Sequence, residues 1–152
     1  MATTLSDASL TVRVTEEITL NGRELGNTNT HTITGINEVS ERIFTVPTSQ
    51  VTILSASSGV GAGTFLSSSI KYIRVTNLDD SNYVRLSFTS GSTAASNTSD
   101  FKLEAKRSMI FSNTAYSGSA INLTFGSFND FTNLKGVANS SSVDVELFVA
   151  TS

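Results

Sequence analysis

Ile70-Lys71-Tyr72-Ile73-Arg74-Val75-Thr76-Asn77, then Leu78-Asp79-Asp80-Ser81-Asn82, then Tyr83-Val84-Arg85-Leu86-Ser87-Phe88-Thr89, is the stretch whose reading decides the fold class. Its two flanks are of strand length and rich in β-branched and aromatic residues, which suit a pleated, half-buried surface. Val84, Leu86 and Phe88 fall on one pleat face. The centre holds Asp, Ser and Asn, whose side chains bond their own backbone and so favour turns. The local pattern predicts a hairpin, with strands over Ile70–Asn77 and Tyr83–Thr89 joined by a turn through Asp79-Asp80-Ser81-Asn82.

The same period of two runs outward from this stretch in both directions. Toward the C-terminus, Val143, Val145, Leu147 and Val149 share a face, and Asp144, Glu146 and Phe148 lie opposite, so only Phe148 breaks the polar side. Toward the N-terminus, Leu10, Val12, Val14, Ile18 and Leu20 form an apolar face interrupted by Glu16, which predicts a long half-buried strand. Asn21-Gly22 follows it, a tight hairpin signal. Further strands are expected over Asn27–Ile33, Glu41–Val46 (ended by Pro47), Val51–Ser55, from Phe101 through Leu103 and Ala105, Met109–Phe111, and around Ile121, Leu123 and Phe125. Ser57–Gly63 and Ser90–Asp100 read as loops, and Phe128 and Phe131 as part of an aromatic-rich connection. No window of helical length carries apolar residues at three-and-four spacing. Eight to ten strands in 152 residues predict an all-β chain folded as an antiparallel β-sandwich, jelly-roll-like in layout, or a related barrel. Residues 1–9 are expected to form an N-terminal arm and 10–152 a single sandwich domain.

Composition narrows the chemistry. There is one histidine, no cysteine and no tryptophan, and polarity comes mainly from 25 Ser, 21 Thr and 12 Asn. Without cysteine there is neither a disulfide frame nor a thiolate zinc site. A net charge of −3 and scattered cations argue against nucleic acid as a partner. Lys102, Lys106 and Arg107 are the nearest approach to a basic cluster, and Glu104 sits among them. The N-terminus has neither the basic start nor the apolar run of a signal peptide, and no stretch reaches the length of a membrane span, so neither export nor a membrane partner is expected.

Each residue group that could carry chemistry has a plainer reading. Ser58-Gly59-Val60-Gly61-Ala62-Gly63-Thr64 has the look of a phosphate cradle, but no Lys follows its last Gly and no helix opens after it. His31 stands between Thr30 and Thr32, and no activated Ser or orienting carboxylate can be placed beside it. Asp79-Asp80 and Asn129-Asp130 sit in expected turns without calcium-loop spacing. Glu16 either lies at a sheet end in water or pairs with a cation across a subunit contact. No catalytic residue, metal site or cofactor is expected. Tyr72, Tyr83 and Tyr116 show no platform spacing for stacking sugars.

The block IKYIRVTNLDDSNYVRLSF, followed by a polar loop and FKLEAKRSMIF, together spanning Ile70–Phe111, resembles small all-β virion proteins of tailed bacteriophages. The resemblance covers about a third of the chain. It implies a capsid decoration or cement protein, or else a neck, tail or fibre component. It also implies a homotrimer or ring, the major capsid protein or other virion proteins as partners, a place in the virion after synthesis in the host cytoplasm, and no active-site residues. Candidate contact residues are Thr28, Thr30 and Thr32 on a Thr-rich edge, with Phe128 and Phe131 as apolar anchors. The alternative from another class is a carbohydrate- or calcium-binding β-sandwich module.

Overall fold

The computed structural model describes residues 6–56, 64–90, 97–112 and 131–152. The chain divides into two compact units, Met1–Asn37 and Glu38–Ser152. This division falls after Asn37.

The first unit is a two-stranded antiparallel ribbon of β1 (Ala8–Leu20) and β2 (Arg23–Ile36), a sheet of its own. Asn21 and Gly22 both take positive φ, 51° and 75°, which a two-residue turn of this hand requires. The register then runs from Leu20 opposite Arg23 to Leu10 opposite Ile33. Gly26 is required for a different reason, since a Cβ there would run into the backbone carbonyl of Glu16 on the facing strand.

The second unit is the sandwich, built from β3 (Glu38–Val46), β4 (Val51–Ala56), β5 (Thr64–Phe65), β6 (Ile70–Asn77), β7 (Val84–Ser90), β8 (Asn97–Leu103), β9 (Ser108–Ser112), β10 (Phe131–Ala138) and β11 (Val143–Thr151). One 3-10 turn, Ser67–Ser69, precedes β6. One sheet has the order β3-β11-β6-β9 and the other β5-β4-β10-β7-β8. Setting aside the two-residue β5, which lies parallel to β4, the pairs β3/β11, β4/β10, β6/β9 and β7/β8 are all antiparallel. The first strand of the eight pairs with the last, the second with the seventh and so on inward. This nesting is a jelly roll, as the period-two pattern predicted.

The same winding overturns the hairpin expected across residues 70–89. Both strands exist, but β6 pairs with β11 and β9 while β7 pairs with β10 and β8, in the opposite sheet. The connection crosses the core, and Asn77 holds it. This fully buried side chain donates from Nδ2 to the carbonyls of Asn82 (2.9 Å) and Leu103 (3.2 Å), and its Oδ1 accepts from the Asp79 amide (2.9 Å). Asp79 in turn accepts from the amides of Ser81 and Asn82. Asn139 caps the same end by accepting the Tyr83 amide at 3.1 Å. A turn of Asx character was correctly expected; its job is to bridge two layers.

Between the sheets lie Val46, Ile53, Leu54, Ile70, Ile73, Val75, Val84, Leu86, Phe88, Leu103, Leu134 and the alternate residues Val143, Val145, Leu147 and Val149 of β11. Phe88 is the aromatic centre, edge-on to Phe101 at 5.7 Å and tilted against Phe111 at 4.4 Å. Gly136 on β10 makes room for this packing, because a Cβ there would come within 2.6 Å of Ile53 Cδ1 and 3.2 Å of Val46 Cγ1. Arg42, whose place in β3 turns it inward, donates to the Ile53 carbonyl of the other sheet and lays its guanidinium over Phe44.

Several boundaries differ from the sequence reading. β2 is twice the expected length, β3 starts three residues earlier, and β8 claims Asn97–Asp100 from the expected polar loop. Ala105 stands in the turn after β8, and residues 131–138 form a strand where a connection was expected. The expected strand around Ile121–Phe125 and the Gly-rich loop Ser57–Gly63 lie outside the described residues.

Candidate functional site

Successive residues of a strand point to opposite faces, so the ribbon has two different surfaces. On one, Thr11 and Thr15 of β1 share a face with Thr28, Thr30 and Thr32 of β2. Thr11 stands opposite Thr32 and Thr15 opposite Thr28, with 3.2 Å between the latter pair's hydroxyls. The structure thus brings the three predicted threonines together on one exposed face. Arg13 sits opposite Thr30 within it.

The other face carries Leu10, Val12, Val14, Glu16, Ile18 and Leu20 against Ile33, His31, Asn29, Asn27, Leu25 and Arg23. Its burial is graded along the ribbon. Ile33 is buried, Leu10, Val12, Val14 and His31 are half-buried, and every residue from Thr15 to Thr30 is exposed. Ile18 and Leu25 are direct cross-strand partners with Leu20 beside them, and they are 58%, 51% and 55% exposed. The half-buried strand expected over Leu10–Leu20 is therefore half-buried only as far as Val14. Glu16 is exposed in the middle of this face, not at a sheet end. Beyond it the twisted ribbon forms a shallow concavity lined by Thr15–Thr19 and Glu24–Thr28.

A second exposed surface lies on the outer side of the β3-β11-β6-β9 sheet. Register places Glu41, Phe148, Arg74 and Ile110 in one cross-strand row, with Ile43, Glu146, Thr76 and Ser108 in the next. Arg74 is ion-paired with Glu146, lies 3.9 Å from Glu41 and covers the Phe148 ring. Phe148 stands edge-on to Tyr72 at 5.9 Å. Val39 and Ile43 on β3 and Ile110 on β9 flank this row and stay exposed, Ile43 at 63%. The sequence reading missed this surface. Its signals were Phe148 on the polar side of β11 and the apolar residues on both faces of β3, where Val39 and Ile43 alternate with Phe44 and Val46.

The remaining candidates resolve into structure. Lys102 pairs with Glu104 at 2.6 Å and lies over the Tyr83 ring, and Lys106 pairs with Asp80 at 2.8 Å. Each partner's carboxylate, accepting a hydrogen bond, holds the lysine above its ordinary pKa. Two of the three scattered cations are thus matched by carboxylates. Asp79 is held below the ordinary carboxylate value by the backbone amides of Asn82 and Ser81. Phe131 opens β10, and Phe128 lies outside the described residues. Among the described residues no three His, Asp or Glu side chains gather as a metal site would need, and no helix is long and apolar enough to cross a membrane.

Bare apolar patches such as those on these two surfaces offer area for association. Comparison of the chain with protein-family models, with curated proteins and with solved structures finds no match.

Proposed function

We propose that this chain is a non-enzymatic virion structural protein, in its sharpest form a capsid decoration or cement protein that stabilises a phage head through subunit contacts. A neck, tail or fibre component would use the same surfaces. The observation that carries the reading is the ribbon, whose Ile18, Leu20 and Leu25 stand on one exposed face of a two-stranded sheet. Such a ribbon is marginally stable by itself in water, and its apolar face gains most when a partner covers it. The jelly roll agrees with the reading, being a layout used by viral capsid and lectin domains alike. A fold shared so widely does not choose between them, so the weight rests on the ribbon.

Light scattering coupled to size exclusion on the full chain is the test, followed by co-sedimentation with empty phage heads. The expected results are a stable trimer or ring and saturable binding to heads. A monomer that ignores heads but binds a glycan array, or melts higher with calcium, would overturn the proposal in favour of a ligand-binding sandwich module.

A further inference from the structure

Large apolar side chains exposed among the described residues number eight, and six of them fall into two clusters. Ile18, Leu20 and Leu25 share the ribbon's apolar face, while Val39, Ile43 and Ile110 share the outer face of the β3-β11-β6-β9 sheet. We infer that the ribbon end of one copy docks on that sheet face of a second copy, each copy giving one arm and receiving another. The inference rests on the assembly reading above and names its partner.

Dimensions agree. Val39 and Ile43 are four residues apart along β3 and Ile110 lies three strands away, about 13 by 14 Å; Ala150 and Tyr72 beside Val39 are buried, so the open part is the two rows from Glu41 to Ile110 and from Ile43 to Ser108. A two-stranded ribbon fits across it. The floor of the patch is Phe148 under the Arg74 guanidinium, an aromatic and an arginine of the kind that anchor interfaces.

Charge agrees as well. The sheet face carries Glu41, Glu146 and Asp144 against the single cation Arg74, so it has carboxylate to spare. Glu41 is the one held most loosely, at 3.9 Å from Arg74 with 57% of its side chain exposed. The ribbon face carries one cation at its end, Arg23, two residues from Leu25, and one exposed carboxylate, Glu16, two residues from Ile18, so the charge match is confined to the Arg23 end, where Glu41 is likewise two residues from Ile43. Leu25 seated on Ile43 therefore brings Arg23 to Glu41. An arm-to-arm contact would leave Val39 and Ile43 bare, whereas one arm-to-face contact covers both clusters. Such a contact is head-to-tail, and where its rotation closes on itself it makes a ring.

The test compares the solution mass of the full chain with two double variants. Ile18→Ser with Leu25→Ser breaks the arm, and Val39→Ser with Ile43→Ser breaks the face. The wild type is expected to be a closed oligomer and each variant a monomer with unchanged circular dichroism. An equimolar mixture of the two is expected to form a dimer and nothing larger, because only one good arm then meets one good face. Arg23→Glu is expected to weaken assembly roughly tenfold, and Glu41→Arg in the same chain to restore it; this pair keeps the test open if a serine variant misfolds. A face variant that stays fully assembled while the arm variant dissociates overturns arm-to-face docking and leaves the assembly reading standing. A monomeric wild type that binds phage heads also overturns it, and places the arm's partner on the head.

Discussion

The strands β1 and β11 are written in nearly the same alphabet and end in opposite environments. Leu10, Val12, Val14, Ile18 and Leu20 alternate with polar residues as regularly as Val143, Val145, Leu147 and Val149 do. In β11 the alternate residues are all buried; in β1 none is, and the last two of the apolar face, Ile18 and Leu20, are exposed. Alternation fixes that a segment is a strand and which residues share a face. Whether the face is covered depends on a second layer, which β11 has in the facing sheet and the ribbon end lacks.

Core truncation should widen the contrast most. Leu134→Ala, fully buried on β10, is expected to cost about 2–5 kcal/mol of unfolding free energy in urea titration. Its counterpart in the ribbon, Leu20→Ala, should change monomer stability by no more than about 0.5 kcal/mol. Equal losses would sink the distinction between covered and bare faces.

Next in size is Asn77→Ala. It leaves the carbonyls of Asn82 and Leu103 and the amide of Asp79 without their partner, at a cost of about 1–3 kcal/mol. Asn77→Asp should not rescue it, since a carboxylate cannot donate to the two carbonyls. A variant as stable as wild type would show that the crossing between layers does not depend on this side chain.

Asn77 also marks the limit of what the sequence discloses. Both strands of Ile70–Thr89 were legible, as was the turn chemistry between them, because each is a local property. Their separation into opposite sheets was not. It follows from β11 reaching β6 from far along the chain and from β10 reaching β7, pairings that leave no trace in a short window. β10 was missed because Gly136 and Ala138 occupy inward positions where apolar bulk was sought, and the bulk there comes from Ile53 and Val46. At the candidate site, Thr28, Thr30 and Thr32 were legible as one face. The sheet patch was not, since its members come from β3, β11, β6 and β9 and only register brings them into one row.

Acid should make a smaller difference, confined to the sandwich. The Asp79 carboxylate sits below its ordinary value near 3.8 in the folded state because backbone amides favour the charged form. Its contribution is therefore complete above that value and disappears as pH falls through the folded-state pKa. Between pH 6 and pH 3 the melting temperature of wild type should fall further than that of Asp79→Ala. Parallel curves would remove the turn carboxylate from the acid response.

Smallest of all is the expected effect of Thr28→Val, which removes one hydroxyl from the Thr15 contact on an exposed face. Stability should move by no more than about 0.5 kcal/mol. A change in assembly on the same substitution would reassign the contact surface from the apolar face to the threonine face.

The nesting of the sandwich has a consequence for biosynthesis. β11 lies between β3 and β6, hydrogen-bonded to both along nearly its whole length. Until residue 151 has left the ribosome, β3 has no neighbour in its sheet and the inner faces of β3 and β6 have nothing joining them. The pairing that closes the sheet spans more than a hundred residues of sequence, from Glu38 to Thr151. Closing so long a loop is a non-local step of the kind that slows folding.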